Sequence, residues 1–168
     1  MRKYLNQNWK LTGAVLIAAS VILVALDLWL KHWAQHNLTR MSREVVIPHV
    51  IGLTYLQNSG IAFGMFTDLA WGQWIFSAFK LILIIVLLIF YFRLPDDKKY
   101  WLLRAPVILI IAGGIGNLID RVALGFVRDM IMFLFIDFPI WNLADAYVTV
   151  GVFFMLFILL FVVKDLPV

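Results

Sequence analysis

Four apolar runs, at about 11–30, 71–92, 101–118 and 143–163, constrain this chain more than any other feature. A helix rises 1.5 Å per residue, so ~20 residues cover a hydrocarbon core of ~30 Å. Each run has about that length, and the stretches 81–92 and 148–163 carry no charge at all. Composition points the same way. Of the 168 residues, 64% are apolar and 14% charged, whereas soluble domains average ~45–50% and ~25%. The expected fold is an all-α integral membrane protein: four transmembrane helices with a small extracytoplasmic β-sheet and loop subdomain, in a single domain over 1–168.

The first run follows Arg2, Lys3 and Lys10 and so invites comparison with a secretory signal. It is longer than an h-region of ~7–15 residues. It ends in Asp27 and Lys31, not in a small-residue cleavage site, so an uncleaved helix is expected. Four crossings put both termini on one side, and Lys and Arg gather on the cytoplasmic face. Arg2, Lys3, Lys10, Arg93, Lys98, Lys99, Arg104 and Lys164 fall on the terminal side, against Lys31, Arg40, Arg43, Arg121 and Arg128 on the other. Both termini are therefore expected in the cytoplasm, with outer segments at about 32–70 and 120–142. In the first of these, Val45-Val46-Ile47 and Leu53-Thr54-Tyr55-Leu56 are strand formers and Asn58-Ser59-Gly60 is a turn signal. A small sheet on the outer membrane surface follows, kept partly in lipid by Ala62, Phe63, Met65 and Phe66.

Ionisable groups at membrane depth cost ~2.5–3.5 kcal/mol each on insertion scales, so they need partners or a task. Nearly all of them here stand at the outer ends of spans: Asp27 and Lys31, then Asn117, Asp120 and Arg121, then Asn142 and Asp145. Asp129 falls in the loop between the last two groups. If the helices bundle, these residues converge at one outer site. Each also has a plainer reading. Asp27 and Lys31 can form an i, i+4 ion pair. Asp120 and Arg121 can pin the end of the third span, and Asn58 can be a turn residue. Asn142 can cap the fourth helix with Asp145 closing a capping box. Asp129 sits among apolar neighbours, poor surroundings for a merely solvated carboxylate, although Arg128 could pair with it. Asp137-Phe138-Pro139 reads as a turn.

Other chemistry is thinly represented. The chain has no cysteine, hence no thiol nucleophile and no thiolate metal site. His32, His36 and His49 lack a zinc-peptidase spacing, and the serines lack a G-x-S-x-G elbow. No metal or cofactor is expected, and the net charge of +4 reads as topology rather than as a nucleic-acid footprint. Ala112, Gly113, Gly114 and Gly116 suit close helix packing. Lys80, inside the second span, is expected to snorkel outward. A small transporter or channel using the same polar cluster is the main alternative to an enzyme.

At these residues the chain resembles the lipoprotein signal peptidase family. Asp27-Leu28-Trp29-Leu30-Lys31 resembles its D-x-x-x-K, and Asn58-Ser59-Gly60-Ile61-Ala62-Phe63 its N-x-G-x-A-F. Gly116-Asn117-Leu118-Ile119-Asp120-Arg121 resembles its G-N-x-x-D-R, Val127-Arg128-Asp129-Met130 its V-x-D-F, and Asn142-Leu143-Ala144-Asp145 its N-x-A-D. Leu28, Leu30, Met130, Trp141 and Arg128 depart from its usual residues, with no carboxylate or motif asparagine lost. The resemblance implies an aspartyl endopeptidase of the bacterial inner membrane, with Asp129 and Asp145 catalytic. Asn58, Gly60, Asn117, Arg121 and Asn142 would hold the substrate, and Asp27, Lys31 and Asp120 would support the site. It also implies a substrate, a prolipoprotein carrying a diacylglyceryl cysteine and cut just before it. The enzyme would act as a monomer among membrane lipids, its site facing the periplasm or cell exterior.

Overall fold

The computed structural model describes residues 9–59, 72–95 and 97–163. Gly60, Ala62, Phe63, Met65, Phe66, Arg2, Lys3 and Lys164 lie outside them. Among the described residues there are four helices: α1 (Trp9–Asn37), α2 (Gly72–Arg93), α3 (Lys98–Leu124) and α4 (Leu143–Phe161). Three strands accompany them: β1 (Glu44–Ile47), β2 (Ile51–Asn58) and β3 (Val127–Phe133). α3 is the central helix, with 61% of its span buried against 28% for α1 and 17% for α4. The outward faces of the other helices carry Ile17, Val21, Phe79, Ile82, Phe153 and Phe157, all exposed. Lipid is the solvent that such faces require.

Small residues set the helix spacing. A methyl group on Gly113 would meet the carbonyl of Ala144, and one on Gly116 would lie 2.5 Å from Asp27 Oδ2. A methyl on Gly151 would lie 2.9 Å from the Pro106 carbonyl. These glycines let α1 and α4 press against α3, so the close-packing reading of 112–116 describes what they do. At the other end, Arg104 Nη2 donates to the Leu94 carbonyl at 3.1 Å and its guanidinium lies 4.7 Å from the Trp101 ring, fastening the α2–α3 connection.

Two helices run beyond their expected ends. α1 continues to Asn37 and α3 to Leu124, where the sequence pattern stops at 30 and 118. The polar residues that mark the edge of the apolar runs are helical themselves, because their side chains are satisfied inside the bundle rather than by loop backbone. Asn117, Asp120 and Arg121 therefore all project from α3, and the connection to β3 begins after Leu124. Gly125 (φ 81°) ends that helix in the left-handed region, its N–H bonded to the Arg121 carbonyl at 3.0 Å.

The sheet has the order β1-β2-β3, both pairings antiparallel. Val45-Val46-Ile47 and Leu53-Thr54-Tyr55-Leu56 fall in β1 and β2, as their composition suggests. β3 is the correction. Asp129 lies on a strand rather than in a loop, with Leu56 opposite it and Val127 opposite Asn58. The outer edge of β3 binds Trp141: Ile131 N–H donates to its carbonyl at 2.8 Å, and Trp141 N–H returns a bond at 2.9 Å. That short bridge folds the chain back so that Asn142, the first residue before α4, stands beside Asp129.

Candidate active site

Four carboxylates gather where α1, α3, β3 and the start of α4 meet, and they fall into two pairs of different character. Asp27 and Asp120 are held by cations. Lys31 Nζ lies 2.7 Å from Asp27 Oδ2 and 3.6 Å from Asp120 Oδ2. Arg128 grips Asp120 in a fork, Nη2 to Oδ1 at 2.6 Å and Nε to Oδ2 at 3.2 Å, while its backbone N–H adds a 3.0 Å bond. Arg128 thus pairs with Asp120, not with its neighbour Asp129: alternation along a strand points successive side chains to opposite faces. Asp27 also accepts from the Ala144 N–H at 2.9 Å, tying α1 to the first turn of α4. Asp27, Lys31 and Asp120 have no measurable exposure or almost none, so these contacts replace water entirely.

Asp129 and Asp145 are held instead by uncharged donors. Asn58 Nδ2 donates to Asp129 Oδ2 at 2.8 Å and Asn142 Nδ2 to Asp129 Oδ1 at 2.6 Å. Asn117 Nδ2 donates to Asp145 Oδ1 at 2.7 Å and the Asn142 backbone N–H to Asp145 Oδ2 at 3.2 Å. Asn142 is the junction. Its Nδ2 also reaches Asn117 Oδ1 at 3.1 Å, and its Oδ1 accepts the Asp145 N–H at 3.0 Å. The capping box is therefore present, and the cap residue touches both carboxylates. Lys31 Nζ donates to Asn117 Oδ1 at 2.9 Å, which turns the Asn117 amide so that its NH₂ faces Asp145.

Amide donors steady a carboxylate without fixing its charge. Burial, first, and the neighbouring Asp145 charge push the Asp129 carboxyl from its ordinary 3.8 up to about 7, while the Asn58 and Asn142 bonds pull the other way. A carboxyl poised there can hold or release a proton near neutral pH. The two residues line one cavity of about 550 Å³ together with Asn58, Asn117, Arg121 and Lys80. Its opposite wall is apolar, built from Phe133, Phe138, Pro139 and Trp141. Asp137 is exposed in the connection between β3 and α4. Among the described residues, no three of His, Cys, Asp and Glu converge as metal ligands.

The signal peptidase (SPase) II family model matches residues 19–161, a span that contains every one of these side chains. The chain belongs to the signal peptidase II family. A lipoprotein signal peptidase of Streptococcus thermophilus (strain CNRZ 1066) is 45% identical over 141 residues, covering 84% of this chain and 89% of the relative. One from Streptococcus pyogenes serotype M1 is 39% identical, covering 83% and 89%. A bacterial membrane enzyme solved by the in meso method at 1.9 Å superposes with a TM-score of 0.78 at 30% identity, covering 89% of this chain and 94% of that one. A second, at 2.3 Å, gives 0.77 at 31% identity. The protein is thus a multi-pass membrane hydrolase of the aspartyl type.

The structure brings nine of the ten expected site residues into one connected neighbourhood; Gly60 lies outside the described residues. Asn58 is the last residue of β2 and a direct partner of Asp129, more than a turn residue. Two contributors escaped the sequence reading. One is the apolar wall from β3 and the following loop, whose signal is the seven-residue run Val-Arg-Asp-Met-Ile-Met-Phe after Gly125, short and rich in strand formers. The other is Lys80, which lines the cavity instead of snorkelling away.

Proposed function

We infer that this signal peptidase II removes signal peptides from lipoprotein precursors, cutting before a diacylglyceryl cysteine, with Asp129 and Asp145 as the catalytic pair. One observation carries the assignment of the pair. Of the four clustered carboxylates, these two have only uncharged N–H donors as hydrogen-bond partners, while the other two sit in ion pairs. The two are joined through Asn142, and the charge of Asp145 disfavours ionisation of Asp129, so the pair shares one proton and one serves as base while the other serves as acid. The pair titrates as a unit, and neither residue owns a role in isolation.

A water between them loses a proton to the ionised partner and attacks the amide carbonyl. The protonated partner gives its proton to the departing nitrogen, and the C–N bond breaks. Asn58, Asn117 and Asn142 keep the carboxylates in register. Arg121 feels the charge of both and faces the same cavity, where it can meet the developing oxyanion. A lipid-anchored precursor carries its scissile bond at the outer boundary of the bilayer and reaches the site by lateral diffusion. On this reading the site faces outward and both termini lie in the cytoplasm.

Purified protein and a diacylglyceryl-modified prolipoprotein, followed by gel shift, test this. The wild type should cut, and Asp129→Asn and Asp145→Asn should insert normally and leave the precursor intact. Wild-type turnover by either variant removes the pair from the mechanism. Solute or proton flux through liposomes without any cleavage would favour a transporter instead.

A further inference from the structure

Lys80 is the one charge on α2 between Gly72 and Tyr91. It belongs to the inward stripe of that helix: Ser77, Ile84 and Leu87, at heptad spacing from it, are buried, while Phe79, Leu81 and Ile82 face lipid. By helix rise it stands ~12 Å inside the outer end of α2. A lysine that snorkelled to the surface would line no cavity. This one borders two: the large cavity of the carboxylate pair, and a smaller one of about 180 Å³ that continues inward between Leu83, Ile84, Leu87, Ile110 and Val148. Asn117, Asp145 and Thr149 stand with it where the two meet.

Its ammonium has charged neighbours on the side of the carboxylate pair. Asp27 and Asp120 neutralise Lys31 and Arg128 by direct contact. The remaining groups that act on Lys80 are Arg121, Asp129 and Asp145. The ammonium stands where the two cavities join, on the inward side of the pair, with apolar walls beyond it. A signal segment entering from the hydrocarbon core presents its acyl end to that side. Hydrolysis adds the water oxygen to the acyl carbon and breaks the C–N bond. The new acid then gives up its proton, directly or through the carboxylate pair, and the liberated amine of the cysteine takes one up. A carboxylate is left on the signal segment, on the side of the pair where Lys80 stands.

We propose that Lys80 is a substrate-binding residue for the acyl half of the cut, its ammonium holding the last carbonyl of the signal segment and then the carboxylate made from it. This rests on the peptidase reading above. The apolar walls of the inner cavity would receive the side chains just before the cut.

The test is binding, with no turnover needed. Two synthetic peptides span the signal segment and end at the residue before the cysteine, one as the free acid and one as the amide. Both are titrated against the full-length protein in nanodiscs. The wild type should bind the acid about tenfold tighter than the amide, the usual scale of a charged hydrogen-bonded contact. Lys80→Met should bring the ratio to within about twofold, and Lys80→Arg should keep most of it. Lys80→Gln, similar in reach and uncharged, gives the same readout should the Met variant fail to fold. An unchanged ratio in the uncharged variants overturns the proposal, as does a wild type that does not distinguish acid from amide. Failure of the peptidase reading looks different: the wild type leaves the lipidated precursor uncut, whatever the peptide ratio.

Discussion

Replacing Asp129 by Asn should abolish cleavage and make the protein more stable, but only above acidic pH. Asparagine has the shape of the protonated carboxyl and makes the same mismatch with the Asn58 and Asn142 amides, which both donate toward this position. The difference between variant and wild type is therefore the ionisation of Asp129. In the unfolded chain that carboxyl titrates near 3.8, and in the folded protein at about 7. Between those values the native state holds a proton that the unfolded state has lost, so raising the pH through this window favours unfolding. Three pKa units at 1.36 kcal/mol each give ~4 kcal/mol, fully present above pH 7 and absent below pH 4. On a chain of this size that is ~8–16 °C in melting temperature. The seven tryptophans allow the melt to be followed by intrinsic fluorescence in detergent. Asp129→Asn should melt well above the wild type at pH 8 and coincide with it near pH 4. A variant that melts below the wild type at pH 8, or with the same offset at both pH values, refutes the reasoning.

Other outcomes follow from the same contacts. Asn58→Ala removes a hydrogen bond that favours the ionised form of Asp129, so the alkaline limb of its pH–rate profile should move upward. Lys31→Met leaves Asp27 and Asp120 short of a buried partner and should cost ~3–5 kcal/mol, read as a lower melting temperature and poor yield. The double variant Asp27→Leu with Lys31→Met should recover part of that loss. Gly116→Ala drives a methyl against Asp27 Oδ2 and should destabilise by ~1–3 kcal/mol without touching Asp129 or Asp145, seen in the same melt.

Legibility in the sequence followed the strength of the physical signal. The four spans are plain because lipid imposes length and apolarity on every residue of a crossing helix. The polar cluster is plain for the converse reason, since Asp27, Asn117, Asp120 and Asp145 are conspicuous in such runs. Less visible is how those carboxylates divide. Sequence spacing allows Arg128 to pair with Asp129, and only the two-residue alternation of β3 sends it to Asp120. β3 itself is hard to read because a seven-residue apolar strand beside a membrane helix looks like frayed span. The Trp141–Ile131 bridge, which sets Asn142 between the two acids, depends on long-range pairing that no local pattern encodes. Lys80 misled because a lone lysine in a lipid-facing helix has a ready surface role, and its direction is settled only by which stripe of α2 faces α3.

The proposed chemistry needs a proton held jointly by Asp129 and Asp145. The pH dependence of kcat/KM for a lipidated prolipoprotein reads that proton directly, since it reports the ionisations of the free enzyme. The rate should be steady on the acid side of neutrality and fall tenfold per pH unit beyond a midpoint near 7, where the pair gives up its shared proton. A rate that stays level from pH 6 through pH 9 would contradict a shared proton as the working state of this site.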